Sequence, residues 1–150
     1  MRYFLDTSAL VKIYHKEEGS KYVIEIYKEG EVVISELAAI EFLSAIYRKF
    51  REKEISELAL KAVCDKFSED LEARYGLLQF SPLVVDEARN LIQKYGRSRS
   101  LKTLDSLQLA FFLVFCDKED KFLCADKGLL EIAREEGVSV IDVKGGDGHV

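Results

Sequence analysis

The sequence contains few of the residues that build nitrogen- and sulfur-ligated metal sites or disulfide frameworks. Its 150 residues include two histidines and three cysteines, Cys64, Cys116 and Cys124. The cysteines are odd in number and none belongs to a Cys-x-x-Cys pair. Neither a disulfide framework nor a zinc site is therefore indicated, and we expect the cysteines to be small buried side chains.

The chain also lacks a long apolar run and an excess of positive charge. No run reaches the roughly 18 residues of a membrane span, and the apolar stretch at the N-terminus is too short for a signal peptide, so we expect a cytoplasmic protein with no membrane contact. The net charge of −5 argues against nucleic-acid binding by bulk electrostatics. Two clusters of cations could still contact a polyanion, although the simpler interpretation is that they are solvated helix ends. One cluster lies in 48–53, and the other consists of Lys94, Arg97, Arg99 and Lys102.

Composition and length indicate one globular domain over residues 1–150. Hydrophobic residues make up 48% and charged residues 33%, which is typical of a folded soluble protein and not of a disordered one. A chain of this size buries most of its apolar surface in a single domain. The glycine-rich segment 145–150 is expected to be a flexible end.

Short apolar runs alternate with helical periods along the chain. The runs predict five strands: Tyr3–Leu5, Val32–Ile34, Leu77–Phe80, Lys121–Cys124 and Val138–Ile141. Strands that alternate with helices imply a parallel sheet, because parallel strands require crossover connections. We therefore predict a three-layer α/β/α fold with a mainly parallel sheet of about five strands.

Four carboxylates stand out against this framework. Asp6 and Asp126 each follow a predicted strand and precede a helix, where capping of the helix alone would explain a carboxylate. Glu41 and Asp105 lie in apolar helical runs, and we expect both to be buried. Their own helices offer them little pairing, since only Lys102 lies within reach of Asp105.

Burial of unpaired carboxylates needs a compensating positive charge. An ionised carboxylate in apolar surroundings costs several kcal/mol unless it is paired, protonated or bound to metal. Salt bridges from distant segments could supply that charge. A divalent cation is the interpretation we favour, because oxygen ligands without histidine or thiolate are typical of Mg²⁺ or Mn²⁺. A parallel sheet would bring such acids together, since its strand ends meet at one crevice.

Four segments in order contain the acids: Asp6-Thr7-Ser8-Ala9-Leu10, Ser35-Glu36-Leu37 leading to Glu41, Leu104-Asp105-Ser106-Leu107-x-Leu109-Ala110, and Ala125-Asp126-Lys127. Together they resemble the PIN domain family over nearly the whole chain, and within it the small single-domain VapC-type toxins. The resemblance implies a metal-dependent endoribonuclease that hydrolyses RNA phosphodiester bonds. Mg²⁺ or Mn²⁺ would be held by Asp6, Glu41, Asp105 and Asp126.

The resemblance also suggests a role for each acid. Asp6 and Asp105 would be the principal ligands, and Asp126 would support the same metal directly or through water. Glu41 would complete a second metal site or orient the attacking water. Whether one or two metals bind stays open.

Neighbouring residues are expected to support or modify this site. Thr7 and Ser8 would hold the carboxylates in place. Cys124 stands where family members often carry threonine or serine, and its weaker hydrogen bonding is a departure from the family pattern next to Asp126. Contacts to RNA phosphates are predicted for three cations near Asp105: Arg97, Arg99 and Lys102.

The toxin resemblance further implies partners. An antitoxin would insert a basic side chain into the acidic pocket, and the protein would form a homodimer. The helical stretch 55–75 could serve either partner or face the core; its apolar positions are Leu58, Ala62, Phe67 and Leu71.

Two other functions stay open at this stage. One is a PIN nuclease of RNA maturation or DNA-structure cleavage outside a toxin pair, and the other is a non-catalytic member that binds RNA or protein. A haloacid-dehalogenase-like phosphatase is disfavoured, because it needs an acid two residues after Asp6 and Ser8 stands there.

Overall fold

The computed structural model describes residues 1–144, so the expectation of a flexible end at 145–150 lies outside the described residues. Strands and helices alternate along this part of the chain. They are β1 (Tyr3–Leu5), α1 (Thr7–Tyr14), α2 (Ser20–Glu29), β2 (Val32–Ser35), α3 (Glu36–Arg51), α4 (Glu57–Ala73), β3 (Gly76–Leu78), α5 (Pro82–Tyr95), α6 (Thr103–Phe115), β4 (Lys121–Cys124), α7 (Lys127–Glu135) and β5 (Ser139–Asp142).

The five strands form one parallel sheet in the order β3-β2-β1-β4-β5. This confirms the predicted parallel α/β fold. The central strand β1 pairs with β2 on one side and with β4 on the other. The chain connects β1 to β2 and then β3 on one side, and later returns to place β4 and β5 on the other side. Because the strand order reverses here, a crevice opens at the carboxyl ends of β1 and β4.

The alternation of side chains along the strands divides the core between the two faces of the sheet. In β1, Phe4 packs with residues of α5, α6 and α7, whereas Leu5 packs with residues of α1, α2, α3 and α4. In β4, Phe122 and Leu123 divide in the same way. The rings of Phe4 and Phe122 stack with centroids 5.4 Å apart. Helices thus cover both faces, as the three-layer prediction requires.

Two element boundaries differ from the prediction, the end of the third strand and the start of helix α6. The third strand ends at Leu78, because the Phe80 N–H is bound by the carboxylate of Glu36 at 2.6 Å instead of by a neighbouring strand. Ser81 then caps α5, and Pro82 occupies its first turn. Helix α6 begins at Thr103 and not at Leu101.

Two further expectations can be compared with the structure. Cys124 is buried as predicted, whereas Cys64 and Cys116 are half-buried, and all three are free.

In α4, Phe67 is 1% exposed and packs on Phe42, so this position of the stretch 55–75 belongs to the core. Between residues 1 and 144, no helix is long and apolar enough to cross a membrane.

Candidate active site

The fold brings the four predicted acids to one cavity of about 390 Å³. Asp6 and Asp126 reach it from the carboxyl ends of the adjacent strands β1 and β4. Glu41 lies in α3 and Asp105 in the first turn of α6. Four segments that are distant in sequence therefore contribute to one site.

Asp6 is the most buried of the four acids, at 5% exposure. It caps α1, because its Oδ1 accepts the Ala9 N–H at 3.0 Å and the Ser8 hydroxyl at 2.6 Å. Burial raises the pKa of Asp6 from 3.8 to about 6, while these hydrogen bonds act in the opposite direction. Ser8 in turn accepts the Ala125 N–H at 3.0 Å, and so ties the end of β1 to the end of β4.

Glu41 is held by a network that the sequence did not predict. Its Oε1 accepts the Thr7 hydroxyl at 2.6 Å and the Gln108 side-chain amide at 3.0 Å. Gln108 also donates to the Thr7 oxygen at 3.1 Å. One signal was present in the sequence: Gln108 is a polar residue in an apolar helix, three positions after Asp105.

Ser35 fixes the orientation of the Gln108 amide. The Ser35 oxygen accepts the Ala38 N–H at 2.9 Å as the cap of α3, and its hydroxyl donates to Gln108 Oε1 at 3.0 Å. With its oxygen bound by Ser35, the amide directs its N–H groups at Thr7 and Glu41. The buried Gln108 thus connects the end of β2 with α1, α3 and α6.

Asp105 and Asp126 complete the set with fewer protein contacts. Asp126 is exposed and caps α7, where its Oδ1 accepts the Leu129 N–H at 3.0 Å. Asp105 is half-buried. Burial raises the pKa of Asp105, the charges of Asp126 and Glu41 raise it further, and Lys102 opposes them. The acids are therefore close enough to repel one another.

Glu41 and Asp105 are less buried than the sequence predicted. Both are intermediate in exposure, because the polar edge of each helix faces the cavity and not the core.

Cys124 acts as a hydrogen-bond acceptor at the end of β4. The Asp126 N–H donates to its sulfur at 3.2 Å. Burial raises the pKa of the Cys124 thiol, so it stays neutral beside the acids. The sulfur therefore orients the backbone of Asp126 without adding charge.

The free carboxylate oxygens suit a hard divalent cation. Within residues 1–144, no N–H or O–H group of the protein donates to Asp6 Oδ2, Glu41 Oε2 or Asp126 Oδ2, although each partner oxygen is bound. The same residues contain no compact group of three His, Cys, Asp or Glu ligands. Mg²⁺ usually takes one or two carboxylates together with waters and substrate phosphates, so the donor set fits it without a closed protein cage.

Three cations line the same cavity: Lys12, Arg48 and Lys49. The three cations predicted to contact phosphates are not among the cavity-lining residues, and their contact with RNA stays a prediction. Arg97 and Lys102 are exposed outside the cavity, and Arg99 forms an ion pair with Glu135 of α7.

The PIN domain family matches residues 3–135 of the chain, which confirms the resemblance found in the sequence. No curated protein matches in sequence.

Solved structures share the fold at low sequence identity. FitAcB from Neisseria gonorrhoeae superposes with a TM-score of 0.71 at 12% identity, over 94% of this chain and 97% of that one. VapBC2 from Rickettsia felis, bound to a DNA fragment from its promoter, gives 0.65 at 15% identity, over 93% and 97%. VapC20 from Mycobacterium tuberculosis, a toxin that cleaves the sarcin–ricin loop, gives 0.66 at 12% identity, over 86% and 93%.

Proposed function

Because the chain belongs to the PIN domain family, we propose that it is a divalent-metal-dependent endoribonuclease that hydrolyses RNA phosphodiester bonds. The observation that carries the proposal is the cavity lined by carboxylates from four separate segments. Three of these acids have an oxygen that accepts no N–H or O–H group within residues 1–144, and no histidine or thiolate is among the cavity-lining residues of the described chain; both observations support Mg²⁺ or Mn²⁺ as the cofactor.

When bound, the metal would offset the charge of the phosphodiester and lower the pKa of the attacking water. Asp6 and Asp105 would be its principal ligands, with Asp126 as a direct or water-mediated third. Glu41 would bind a second ion or orient the water. Its orientation is already set, because Thr7 and Gln108 hold Oε1 and leave Oε2 free for the cavity.

The Asp105→Asn variant tests the proposal. The change removes one charge at nearly constant shape, and Asp105 accepts no hydrogen bond from the residues described, so the fold should persist. We expect the wild type to cut structured RNAs with Mn²⁺ or Mg²⁺ and to be inert with chelator. The RNA cleavage rate of the variant should be at least about a hundredfold lower than that of the wild type.

Asp86→Asn is the matched control. It makes the same chemical change at an exposed position of α5, outside the cavity. Purified identically, it should retain full activity, and equal activity of all three proteins would reveal a contaminating nuclease. Inert wild type that also fails to bind Mn²⁺ would refute the metal-dependent nuclease and favour a non-catalytic binding role.

We also propose that the enzyme is the toxin of a toxin–antitoxin pair. The support is the similarity of its fold to VapBC and FitAB proteins and to a toxin–antitoxin complex from Klebsiella pneumoniae. Induced expression of the wild type should arrest growth, whereas Asp105→Asn should not. The product of a small neighbouring reading frame that relieves the arrest would be the antitoxin. Growth arrest by the Asp105→Asn variant as well as by the wild type would show that the arrest does not result from nuclease activity.

A homodimer is the assembly we propose. Exposed apolar side chains on adjacent helices support it: Leu83 and Val85 of α5, and Leu104 of α6. Light scattering of the purified protein should give twice the mass of the 17.1 kDa chain. The mass of one chain at micromolar concentration would contradict this assembly.

A further inference from the structure

The cavity that holds the four carboxylates has a cationic wall formed by Lys12 of α1 and by Arg48 and Lys49 in the last turn of α3. We propose that this wall binds RNA backbone phosphates that flank the scissile bond. The inference rests on the proposed nuclease function, and it places the path of the RNA on the α1–α3 side of the site.

Lys12 is a built part of the wall and not a mobile surface cation. It is 5% exposed, and its ammonium group donates to Glu17 Oε1 at 3.2 Å and to the Glu18 carbonyl at 2.5 Å. An ammonium group has three donors, so one remains beyond these two bonds. The side chain lines the cavity together with Glu17, and the proposal assigns the remaining donor to a phosphate there.

The loop that holds Lys12 is itself fixed. Gly19 has a φ of 90°, and a Cβ at this position would lie 1.9 Å from the Val143 carbonyl oxygen and 3.4 Å from Lys12 Cδ. The loop between α1 and α2 therefore packs closely against the end of β5 and the lysine. This arrangement holds Glu17 and Glu18 where they bind the ammonium group.

The positive charges of Arg48 and Lys49 are not neutralised by a close ion pair within residues 1–144. Arg48 is exposed and forms no ion pair within residues 1–144, and Lys49 approaches Glu54 only at 3.8 Å. Cations at the end of a helix also favour the helix dipole, but that role does not require them to line the cavity. Their position beside the acids does fit a substrate that is itself a polyanion.

Electrostatics makes such a wall necessary. Five acids line the cavity, Glu17 in addition to the four of the site, and they repel RNA, while the protein as a whole carries a net charge of −5. Cations within the same cavity would offset this repulsion locally, whereas Arg99 is occupied by Glu135 on α7.

The test compares three double variants that remove two charges each. Arg48→Gln/Lys49→Gln changes the wall, Arg97→Gln/Arg99→Gln changes the rival cluster, and Lys21→Gln/Lys28→Gln changes exposed positions on α2. RNA cleavage with Mn²⁺ gives kcat and KM at several salt concentrations. Binding of a fluorescent 12-nucleotide single-stranded RNA in chelator separates affinity from chemistry.

We expect the wall variant to raise KM about tenfold or more for every RNA sequence, with kcat nearly unchanged. The slope of log(kcat/KM) against log salt should fall by about 1.4, the value for two lost contacts to a single strand. The α2 variant should match the wild type. A single Lys12→Met variant, with its urea unfolding curve as a folding check, should reproduce the rise in KM.

Three results would overturn the inference. One is loss of affinity in the Arg97/Arg99 variant and not in the wall variant. Another is unchanged RNA binding in the wall variant together with lost binding of a poly-glutamate peptide, which would assign the wall to an acidic partner segment. The third is failure of the wild type to bind RNA. If RNA is bound through the wall but never cut, the nuclease proposal fails, and the part of the inference that stands is that the wall binds RNA phosphates.

Discussion

Replacement of Asp6 by Asn is expected to stabilise the metal-free protein at neutral pH. Asp6 is buried, and this burial raises its pKa from 3.8 to about 6. Asparagine has nearly the same shape and caps helices as well as aspartate does. Its oxygen can still accept the Ser8 hydroxyl and the Ala9 N–H, so the variant removes the titrating charge and preserves the contacts.

The direction of the pH effect follows from the order of the two pKa values. The folded protein binds a proton at Asp6 more tightly than the unfolded chain does. Protonation of Asp6 therefore contributes stability that is fully present below pH 3.8 and is lost as the pH rises through about 6. The wild type should become less stable between these values, and the variant should lack this component.

The size of the effect follows from the same difference. At about 1.4 kcal/mol for each pH unit, the change from 3.8 to about 6 corresponds to roughly 3 kcal/mol. Loss of the charge at the start of α1 offsets about 0.5 kcal/mol of this. At pH 7 the Asn variant should therefore be about 2.5 kcal/mol more stable than the wild type.

Urea unfolding with EDTA at pH 4.5, 6.0 and 7.5 measures this difference. The free energy of unfolding of the variant relative to the wild type should rise by about 2 kcal/mol over that range. A difference that does not change with pH would refute the argument from burial. Addition of Mn²⁺ at a hundred times its Kd should stabilise the wild type by about 2.7 kcal/mol and leave the variant nearly unaffected.

Two further substitutions test the supports of the site. Gln108→Leu removes the amide that holds Glu41 and Thr7, so Mn²⁺ affinity measured by calorimetry should fall 10- to 100-fold, roughly the effect of losing a residue that orients a metal ligand; unchanged affinity would show that Thr7 alone suffices. Gly19→Ala places a Cβ 1.9 Å from a backbone oxygen, whereas Gly137→Ala, at a similar φ of 82°, meets no atom within 4 Å. Thermal or urea unfolding should show that Gly19→Ala costs about 2 kcal/mol more than Gly137→Ala, and equal costs would mean that the loop yields.

Local patterns in the sequence were enough to predict the sheet and the acids at its edge. The capping residues Asp6, Ser35 and Asp126 each bind the N–H three positions ahead, so the strand–cap–helix pattern determined both the element boundaries and the direction of these side chains. The acids of α3 and α6 were visible because each lies in an apolar helical run.

Interactions between distant segments were not predictable in the same way. Gln108 binds Ser35, Thr7 and Glu41, which are 67 to 101 residues away, and nothing in the sequence near Gln108 specifies these partners. Asp70 illustrates the converse. It is as buried as any acid of the site, but hydroxyls of Tyr14 and Tyr27 satisfy it, so a buried acid is not by itself a sign of chemistry.

A comparison between Asp6 and Ser35 separates capping from function. Both residues follow a strand of the sheet and cap the next helix, with N–H to oxygen distances of 3.0 Å for Asp6 and 2.9 Å for Ser35. Serine does this without charge, whereas Asp6 costs roughly 3 kcal/mol at neutral pH because its burial raises the pKa to about 6. Capping thus accounts for Oδ1 of Asp6 but not for the choice of a carboxylate. The second oxygen, which no N–H or O–H group in residues 1–144 binds, is what a serine would lack, and a cation in the cavity would offset the cost of placing it there.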